Sequence, residues 1–423
     1  MAQAAAEEVT SARAGEVLDR TAQRKGRALC IVAALIALVA IGLFGRGAGD
    51  ATFVLSPRGE DILDFAVPAG PTVLVLGLLA LTVSLAGWVA ASPKRAPMIL
   101  ALAMVLFVAA MLVWATAEGT TSLVGLANGT LRRATPLILG GLAGVLCERS
   151  GVVNIAIEGM LLGGAFAGAI VGSATGNSWI GVVGGMIVGA LLAGMLSGLA
   201  IGYKVDQIVG GTAVNILSLG LTSYLAAVVL VEHPDLNRTE PFLPFEIPLL
   251  SEIPFLGAVV FTNTPHVYAA VALSIVIWFV LFRTRWGLRV RSVGEHPSAA
   301  DTVGISVPKL RYQSVLIGGA VAGLGGTYFT LDSSSQFQEN MTAGRGFIAL
   351  AAMIFGRWHP IGVLGAALVF GFAEEFQGRL SSLGTAIPSE FLLMAPYIVT
   401  LVVVAGLVGK ARPPAADGKP FER

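Results

Sequence analysis

Residues 179–201 read WIGVVGGMIVGALLAGMLSGLAI, a run without a charged side chain. At about 1.5 Å per residue, a helix over this run is long enough to cross a hydrocarbon core of about 30 Å. The run is continuously apolar rather than alternating, which favours a helix over a strand of a closed sheet. Glycines recur at four-residue spacing, as in Gly185 and Gly189, and this spacing lets helices pack closely in lipid. The stretch therefore predicts a membrane-spanning helix.

The same pattern recurs along the chain. Hydrophobic residues make up 55% and charged residues 13% of the 423, a balance that a water-facing surface would not tolerate. We predict an all-α polytopic membrane protein with about ten full spans and two short or broken segments. The predicted spans are Ala28–Phe44, Pro71–Ala91, Met98–Ala117, Ile155–Val171, Trp179–Ile201, Ile208–Val231, Val267–Phe282, Tyr312–Leu331, Ile361–Phe376 and Leu392–Val408, and the short segments are Pro136–Cys147 and Phe347–Phe355.

Composition also argues against several functions. A net charge of +1 without a basic, aromatic stripe gives no reason to expect nucleic acid binding. Cys30 and Cys147 are far apart in apolar surroundings, and the four histidines show no ligand spacing, so we predict no metal site. An intramembrane enzyme finds little support, because no pair of nucleophile and base and no HExxH helix stands out. We expect the protein not to be an enzyme.

The distribution of positive charge predicts which loops between the spans face the cytoplasm. Arginine and lysine cluster in the loops around 94–95, 204, 283–291 and 410–412, which are therefore expected on the cytoplasmic side, with both termini. We predict a multi-pass protein of the plasma (inner) membrane. Residues 1–27 are predicted to be a disordered cytoplasmic tail, residues 28–117 an N-terminal helical addition, and residues 410–423 a cytoplasmic tail.

The two short segments are too short to cross. A helix over Pro136–Cys147 would span only about 18 Å, so it either stops midway or begins near Leu123, with Arg132 and Arg133 reaching the headgroups. Irregular backbone at membrane depth requires protein or water partners, and transporters use broken helices of this kind to line their sites. The regions Gly144–Gly159 and Gly344–Gly362 are therefore predicted to border a binding site.

Polar residues in these regions are the candidate substrate ligands. In the stretch CERSGVVNIAIEGM, Asn154 and Glu158 are four residues apart, a spacing that would place both on one helix face. A carboxylate in lipid costs a few kcal/mol unless it faces a wet cavity or a partner, so a substrate pathway is the working hypothesis. His359 and Glu374 are further candidates. The alternatives are that Asn154 caps a helix and that His359 and Glu374 mark helix ends, and we interpret Glu148 and Arg149 as solvated loop charges.

The loop 283–311 contains a predicted short helix. Pro297 suits the first helical position, Gly304 the left-handed position after the last turn, and Ile305 the apolar residue that folds back. A free helix this short is marginal in water, so it needs a partner surface. Its small side chains, Ala299, Ala300 and Val303, are predicted to fit a groove on a soluble protein.

These residues carry a family resemblance. The pattern of the loop resembles the coupling helix of bacterial ABC-importer permeases of the branched-chain amino acid, simple-sugar and nucleoside group, and ERSGVVNIAIEGM resembles the signature of the nucleoside branch. The resemblance covers roughly Leu123–Val408, so residues 118–409 are expected to form the permease core. The residues that match the coupling loop are Gly294, Glu295, Pro297, Ala299, Ala300, Gly304 and Ile305.

The resemblance implies a permease for nucleosides or simple sugars, embedded in membrane lipid. It implies three protein partners: an ABC ATPase, a second permease of similar fold that is either a copy or a paralogue, and an extracytoplasmic substrate-binding lipoprotein. The chain has no G-x-x-x-x-G-K-[ST] phosphate loop, so no cofactor is expected in it, and ATP and Mg are expected on the ATPase. The alternative is an ion-coupled secondary carrier in which Glu158 is the proton or cation site.

Overall fold

The protein is described by a computed structural model that covers residues 23–45, 48–55, 64–90, 95–383, 394 and 412–422. The helices are α1 Gln23–Phe44, α2 Ala69–Ala90, α3 Ala96–Ala115, α4 Leu123–Glu148, α5 Ile157–Thr175, α6 Ser178–Gly202, α7 Gln207–Leu230, α8 Leu256–Val260, α9 Pro265–Arg283, α10 Arg285–Glu295, α11 Pro297–Thr302, α12 Val307–Ser333, α13 Arg345–Phe355 and α14 Pro360–Ser382. The strands are β1 Asp50–Val54, β2 Phe65–Pro68, β3 Thr120–Ser122, β4 Phe245–Glu246 and β5 Thr262–Asn263.

The all-α membrane fold predicted from the sequence is confirmed. Within the described ranges, nine helices are long and apolar enough to cross a membrane, and they match the first nine predicted spans with shifted ends. Their outer faces suit lipid: Val183, Ile187 and Leu191 form a stripe along α6 and are 53%, 54% and 63% exposed. The tenth predicted span, Leu392–Val408, lies outside the described residues, as does most of the predicted tail 1–27. Residues Gln23–Arg27 of that tail are already helical, as the first turns of α1.

The segment Pro136–Cys147 belongs to a longer helix, which decides between the two sequence alternatives. α4 runs from Leu123 to Glu148 with Pro136 inside it. Arg132 and Arg133 each form an ion pair with an acidic residue of the chain. That they reach the headgroups stays a prediction. α13, by contrast, is a genuinely short helix of 11 residues.

The chain divides into two compact units, residues 1–124 with 377–409 and residues 125–376 with 410–423. In the first unit, α1, α2 and α3 pack through small residues such as Ala33, Ala37 and Ala80. This unit also contains a three-stranded sheet in the order β2-β1-β3, in which β1 and β2 are antiparallel and β1 and β3 are parallel. The sequence did not indicate this sheet, because strands of three to five residues are too short for a period to show.

In the second unit, α5, α6 and α12 cross at the glycines singled out by their spacing. A Cβ atom on Gly164 would lie 2.5 Å from the carbonyl oxygen of Gly323, and one on Gly185 would lie 2.8 Å from that of Gly164. Both distances are far below van der Waals contact, so only glycine allows the backbones to approach this closely. Close packing of this kind holds helices together where the hydrophobic effect is absent.

Candidate functional site

The chain is not helical between α4 and α5, and this break corrects the predicted geometry of the signature stretch. Gly151 has φ +86°, a left-handed conformation, and residues 152–154 follow without helical structure before α5 begins at Ile157. Asn154 and Glu158 therefore do not share a helix face as the four-residue spacing predicted. The predicted cap at Asn154 is also absent, because the residue that precedes α5 is Ala156.

Side chains of α7 satisfy the backbone of this break. The Gln207 Oε1 accepts from the Val153 N–H at 2.7 Å. The Asn215 amide accepts from the Gly159 N–H at 2.7 Å and donates to the Ile155 carbonyl at 2.8 Å. Irregular backbone inside a membrane requires such partners. The sequence analysis did not predict this role of Gln207 and Asn215. The available signal was that both are polar residues in or beside an apolar span.

Asn154 is fully buried and borders neither of the two cavities described below. Its relative exposure is 0%, and its Nδ2 lies 3.3 Å from Cys147 Sγ and 3.7 Å from Met160 Sδ. In this conformation the Asn154 side chain contacts residues of α4 and α5. Its predicted contact with substrate stays a prediction.

Glu158 joins the two broken regions named from the sequence. Its carboxylate accepts three hydrogen bonds: from the Thr342 hydroxyl at 2.6 Å, from the Gly344 N–H at 2.9 Å and from the Gly346 N–H at 2.6 Å. These N–H groups lie at the start of α13, where a helix lacks internal acceptors and favours negative charge. Glu158 thus holds α13 against α5. It also borders a small cavity of about 200 Å³, which Leu162 lines as well.

Glu148 and Arg149 are not solvated loop charges, which corrects that interpretation. Glu148 is 4% exposed and accepts from the Trp358 indole N–H. Arg149 Nε donates to the Trp358 carbonyl at 2.9 Å. These charges hold the turn between α13 and α14, in which Arg357 and Trp358 both have positive φ, of 55° and 53°. Local sequence did not show this, because the partners are about 210 residues away.

His359 lies in the same turn, and its ring centroid is 4.9 Å from that of Phe282. Burial, and then the charge of Arg149, lowers the pKa of His359. It borders neither cavity. Its assignment to the substrate pathway stays a prediction.

A polar cavity of about 440 Å³ lies within the second unit. Three arginines and two glutamates are among its lining residues. Arg133 Nε is 2.9 Å from Glu375 Oε2, and Arg345 Nε is 3.5 Å from Glu374 Oε2. Glu374 was a candidate from the sequence, whereas the three arginines were not. The lining residues are Gly129, Arg132, Arg133, Pro136, Tyr328, Phe329, Ser333, Ser334, Gln338, Met341, Arg345, Glu374 and Glu375.

Behind this cavity a chain of polar contacts enters the protein interior. Arg132 Nη2 lies 3.6 Å from Asp332 Oδ1, and Asp332 Oδ2 lies 3.2 Å from His266 Nδ1. His266 Nε2 contacts the Thr327 hydroxyl at 2.9 Å. Asp332, at the end of α12, and His266, at the start of α9, are 6% and 2% exposed. The partly exposed Arg132 therefore links the cavity to a buried pair.

The loop after α9 contains the helix predicted there. α11 begins at Pro297, Gly304 has φ +84°, and the Ile305 N–H donates to the Ala300 carbonyl at 3.0 Å, which is the expected helix ending. One detail is corrected. Ala300 is 4% exposed and packs into the chain's own core, whereas Ala299 and Val303 are exposed, so the side chains open to a partner are fewer than predicted.

Among the residues that the structure describes, no group of three or more His, Cys, Asp or Glu side chains is arranged to hold a metal ion. The apolar helices, the non-helical backbone between α4 and α5 and the polar cavity among the helices are together typical of a membrane transport permease.

The chain belongs to the family of branched-chain amino acid transport system permease components, whose model matches residues 126–407. It is therefore a permease subunit of an ABC transporter and not an enzyme. It is 44% identical over 301 residues to the guanosine ABC transporter permease protein NupQ of Bacillus subtilis, covering 69% of this chain and 94% of that protein. It is 39% identical to the nucleoside ABC transporter permease protein NupC of Lactococcus lactis, covering 67% and 92%.

A further relative is a putative glucose ABC transporter permease protein of Haloferax volcanii, 37% identical, with 66% of this chain and 85% of that protein covered. No solved structure matches the chain. Membership of an ABC permease family leaves the alternative of an ion-coupled carrier without support.

Proposed function

We propose that this chain is the permease subunit of an ATP-driven importer for nucleosides, and that the substrate passes through the 440 Å³ cavity. The observation that carries the proposal is the combination of the family match with a partly open polar cavity lined by residues of membrane helices. The names of two relatives, a guanosine and a nucleoside permease, support nucleosides as the substrate class. The volume falls within the range of about 300–1,000 Å³ that is typical of small-molecule sites.

The lining chemistry suits a nucleoside. Tyr328 and Phe329 offer aromatic faces on which a base can stack. Glu374 and Glu375 accept hydrogen bonds, so they suit the ribose hydroxyls, which donate them. The arginines beside these glutamates keep the cavity close to neutral, which favours an uncharged ligand over an anion. A sugar could also bind the carboxylates, and the putative glucose permease among the relatives makes sugars the class to test against.

The working assembly includes several partners. A permease of this family works with an ATPase and a substrate-binding protein, and ATP and Mg are bound by the ATPase. We further propose a second permease, either a copy or a paralogue, an extracytoplasmic binding lipoprotein, a plasma membrane location and cytoplasmic termini. The ATPase is proposed to dock on α11 and its flanks, through Glu295, Pro297, Ala299, Gly304 and Ile305. In the proposed cycle, closure of the ATPase dimer moves α11 and opens the cavity to one side at a time.

The candidates Asn154, Glu158 and His359 are proposed to act on the pathway indirectly. Glu158 binds the start of α13, whereas Asn154 contacts Cys147 and His359 contacts Phe282, so each is proposed to position helices rather than to bind substrate. Glu374 is the sequence candidate that we propose as a direct ligand, because it lines the cavity.

The test is uptake by the complete complex, measured with labelled guanosine, adenosine, ribose and glucose at controlled protein levels. We expect nucleoside uptake, and we expect Glu374→Gln to raise the half-saturating concentration. Glu232→Gln is the matched control, since Glu232 is an exposed carboxylate that does not line the cavity. Glucose uptake without nucleoside uptake would overturn the substrate class, and unchanged uptake in Glu374→Gln would remove the cavity from the pathway.

A further inference from the structure

Three segments distant in sequence meet at the end of the second unit that carries α10 and α11. They are the α4–α5 junction, the end of α10 and residues 412–422, which we name the C-terminal strap. The first two meet through their backbones, because a Cβ atom on Gly294 would clash with the carbonyl oxygen of Arg149. The end of α10 therefore cannot move far without displacing the junction that precedes Glu158.

The strap contacts the end of α10 directly. The Ala416 N–H donates to the Gly294 carbonyl at 2.9 Å, and the Ala415 N–H donates to Glu295 Oε2 at 3.2 Å. The last carbonyls of a helix lack internal donors, so the Ala416 bond supplies one that α10 needs. Ala416 is only 4% exposed, whereas the neighbouring Ala415 is exposed. The strap is thus seated in the protein through alternate residues.

Arg311, on α12, joins the strap to the junction. It is 1% exposed, and its Nε donates to the Ser150 carbonyl at 3.2 Å while its Nη1 donates to the Lys419 carbonyl at 3.0 Å. A planar guanidinium holds two acceptors in fixed directions, which a lysine ammonium cannot do. One buried side chain therefore connects α12 with the strap and the α4–α5 junction.

A pair of carboxyl groups adds to this connection. The Asp417 carboxyl group of the strap interacts electrostatically with the buried Glu148 carboxyl group. Burial raises the pKa of Asp417 to about 6, while Arg311 lowers it. Glu148 also accepts from Trp358, so the strap is linked through Glu148 to the turn after α13.

We propose that the C-terminal strap and Arg311 form a clamp that passes movement of the α10–α11 loop to the α4–α5 junction. Arg311 is a positioning residue in this clamp, with no contact to substrate. The proposal rests on the proposed function in one respect, that the loop docks an ATPase. Without the strap, the loop retains its backbone contact at Gly294 but loses the hydrogen bonds that make the three segments move together.

The first test asks whether the strap is seated. Ala415→Cys and Ala416→Cys are each labelled with a maleimide in the purified full-length chain, in which native Cys30 and Cys147 are buried. We expect the cysteine at 416 to react several-fold more slowly than the cysteine at 415. Equal rates would overturn the clamp. This comparison requires neither nucleoside nor ATPase, so its failure is distinct from failure of the proposed function.

The second test measures coupling in the reconstituted complex, as ATP hydrolysed per substrate molecule moved. We expect Arg311→Lys, and independently Ala416→Pro, which deletes the N–H bonded to Gly294, to raise this ratio while the complex still assembles. Glu232→Gln is the control, because Glu232 is exposed and lies outside the three segments that the clamp joins. A wild-type ratio in Ala416→Pro would overturn the clamp even if Arg311→Lys failed to fold.

Discussion

Replacing Glu158 separates a structural role from direct contact with substrate. In Glu158→Ala the N–H groups of Gly344 and Gly346 lose their acceptor. An unsatisfied, buried N–H costs about 1–3 kcal/mol. Gly346 is buried but Gly344 is only partly buried and borders the small cavity, so we expect a loss of about 1–3 kcal/mol in the free energy of unfolding. Glu158→Gln keeps one acceptor oxygen and turns an NH₂ group towards the other amide, so we expect roughly half that loss.

The assay is thermal unfolding of the full-length chain in detergent, with nucleoside uptake measured in parallel. We expect apparent melting temperatures in the order wild type, Glu158→Gln, Glu158→Ala, with uptake falling in the same order. Glu232→Ala, at an exposed carboxylate just after α7, is the control and should melt with the wild type. If Glu158→Ala melts with the wild type while uptake disappears, the bracing role is refuted and direct contact with substrate is favoured.

Three further predictions follow from single residues. Gly164→Val should abolish folded protein, because the new Cβ atom would lie 2.5 Å from the Gly323 carbonyl oxygen. The control is Gly220→Ala, whose Cβ atom would have no other atom within 4 Å and which should therefore express normally. Size-exclusion chromatography compares the two variants. Gly304→Val should raise the number of ATP molecules hydrolysed per substrate molecule moved. Gly304 has φ +84°, which suits glycine, and a β-branched residue in this conformation costs about 1–3 kcal/mol. A normal ratio would contradict a docked helix that ends at Gly304. Docking of the C-terminal strap should weaken as pH rises from about 4 to about 6. In the docked strap Asp417 faces Glu148 and Arg311, and its pKa is raised from 3.8 to about 6. Protonation of Asp417 therefore favours the docked state, and this stabilisation is lost as the carboxyl group ionises. A spin label at position 419 should become more mobile over that range in the wild type, and Asp417→Asn should remove the dependence; a wild-type label with constant mobility would refute it.

The two broken regions could be located from the sequence, but how they come together could not be predicted. The regions Gly144–Gly159 and Gly344–Gly362 were found because they interrupt apolar runs, and the structure brings them together at Glu158 and at Glu148. The roles of individual residues were harder to predict. Glu148 was interpreted as solvated although it is 4% exposed, and the cavity arginines were not identified as lining residues. A side chain's charge is visible in the sequence, whereas its partner depends on chain crossings hundreds of residues apart.

The amino-acid sequence by itself determined that this chain is a bundle of membrane helices with α11 in a polar loop. The reason is local: an apolar segment in lipid must satisfy its backbone hydrogen bonds within itself, so each run of sufficient length becomes a helix wherever it lies. The tertiary structure alone decided that Glu158 holds α13, that Arg311 joins the C-terminal strap to the α4–α5 junction, and that three arginines line the cavity. Each of these arrangements depends on which distant segments the packed glycines bring within hydrogen-bonding distance, and no local pattern encodes that.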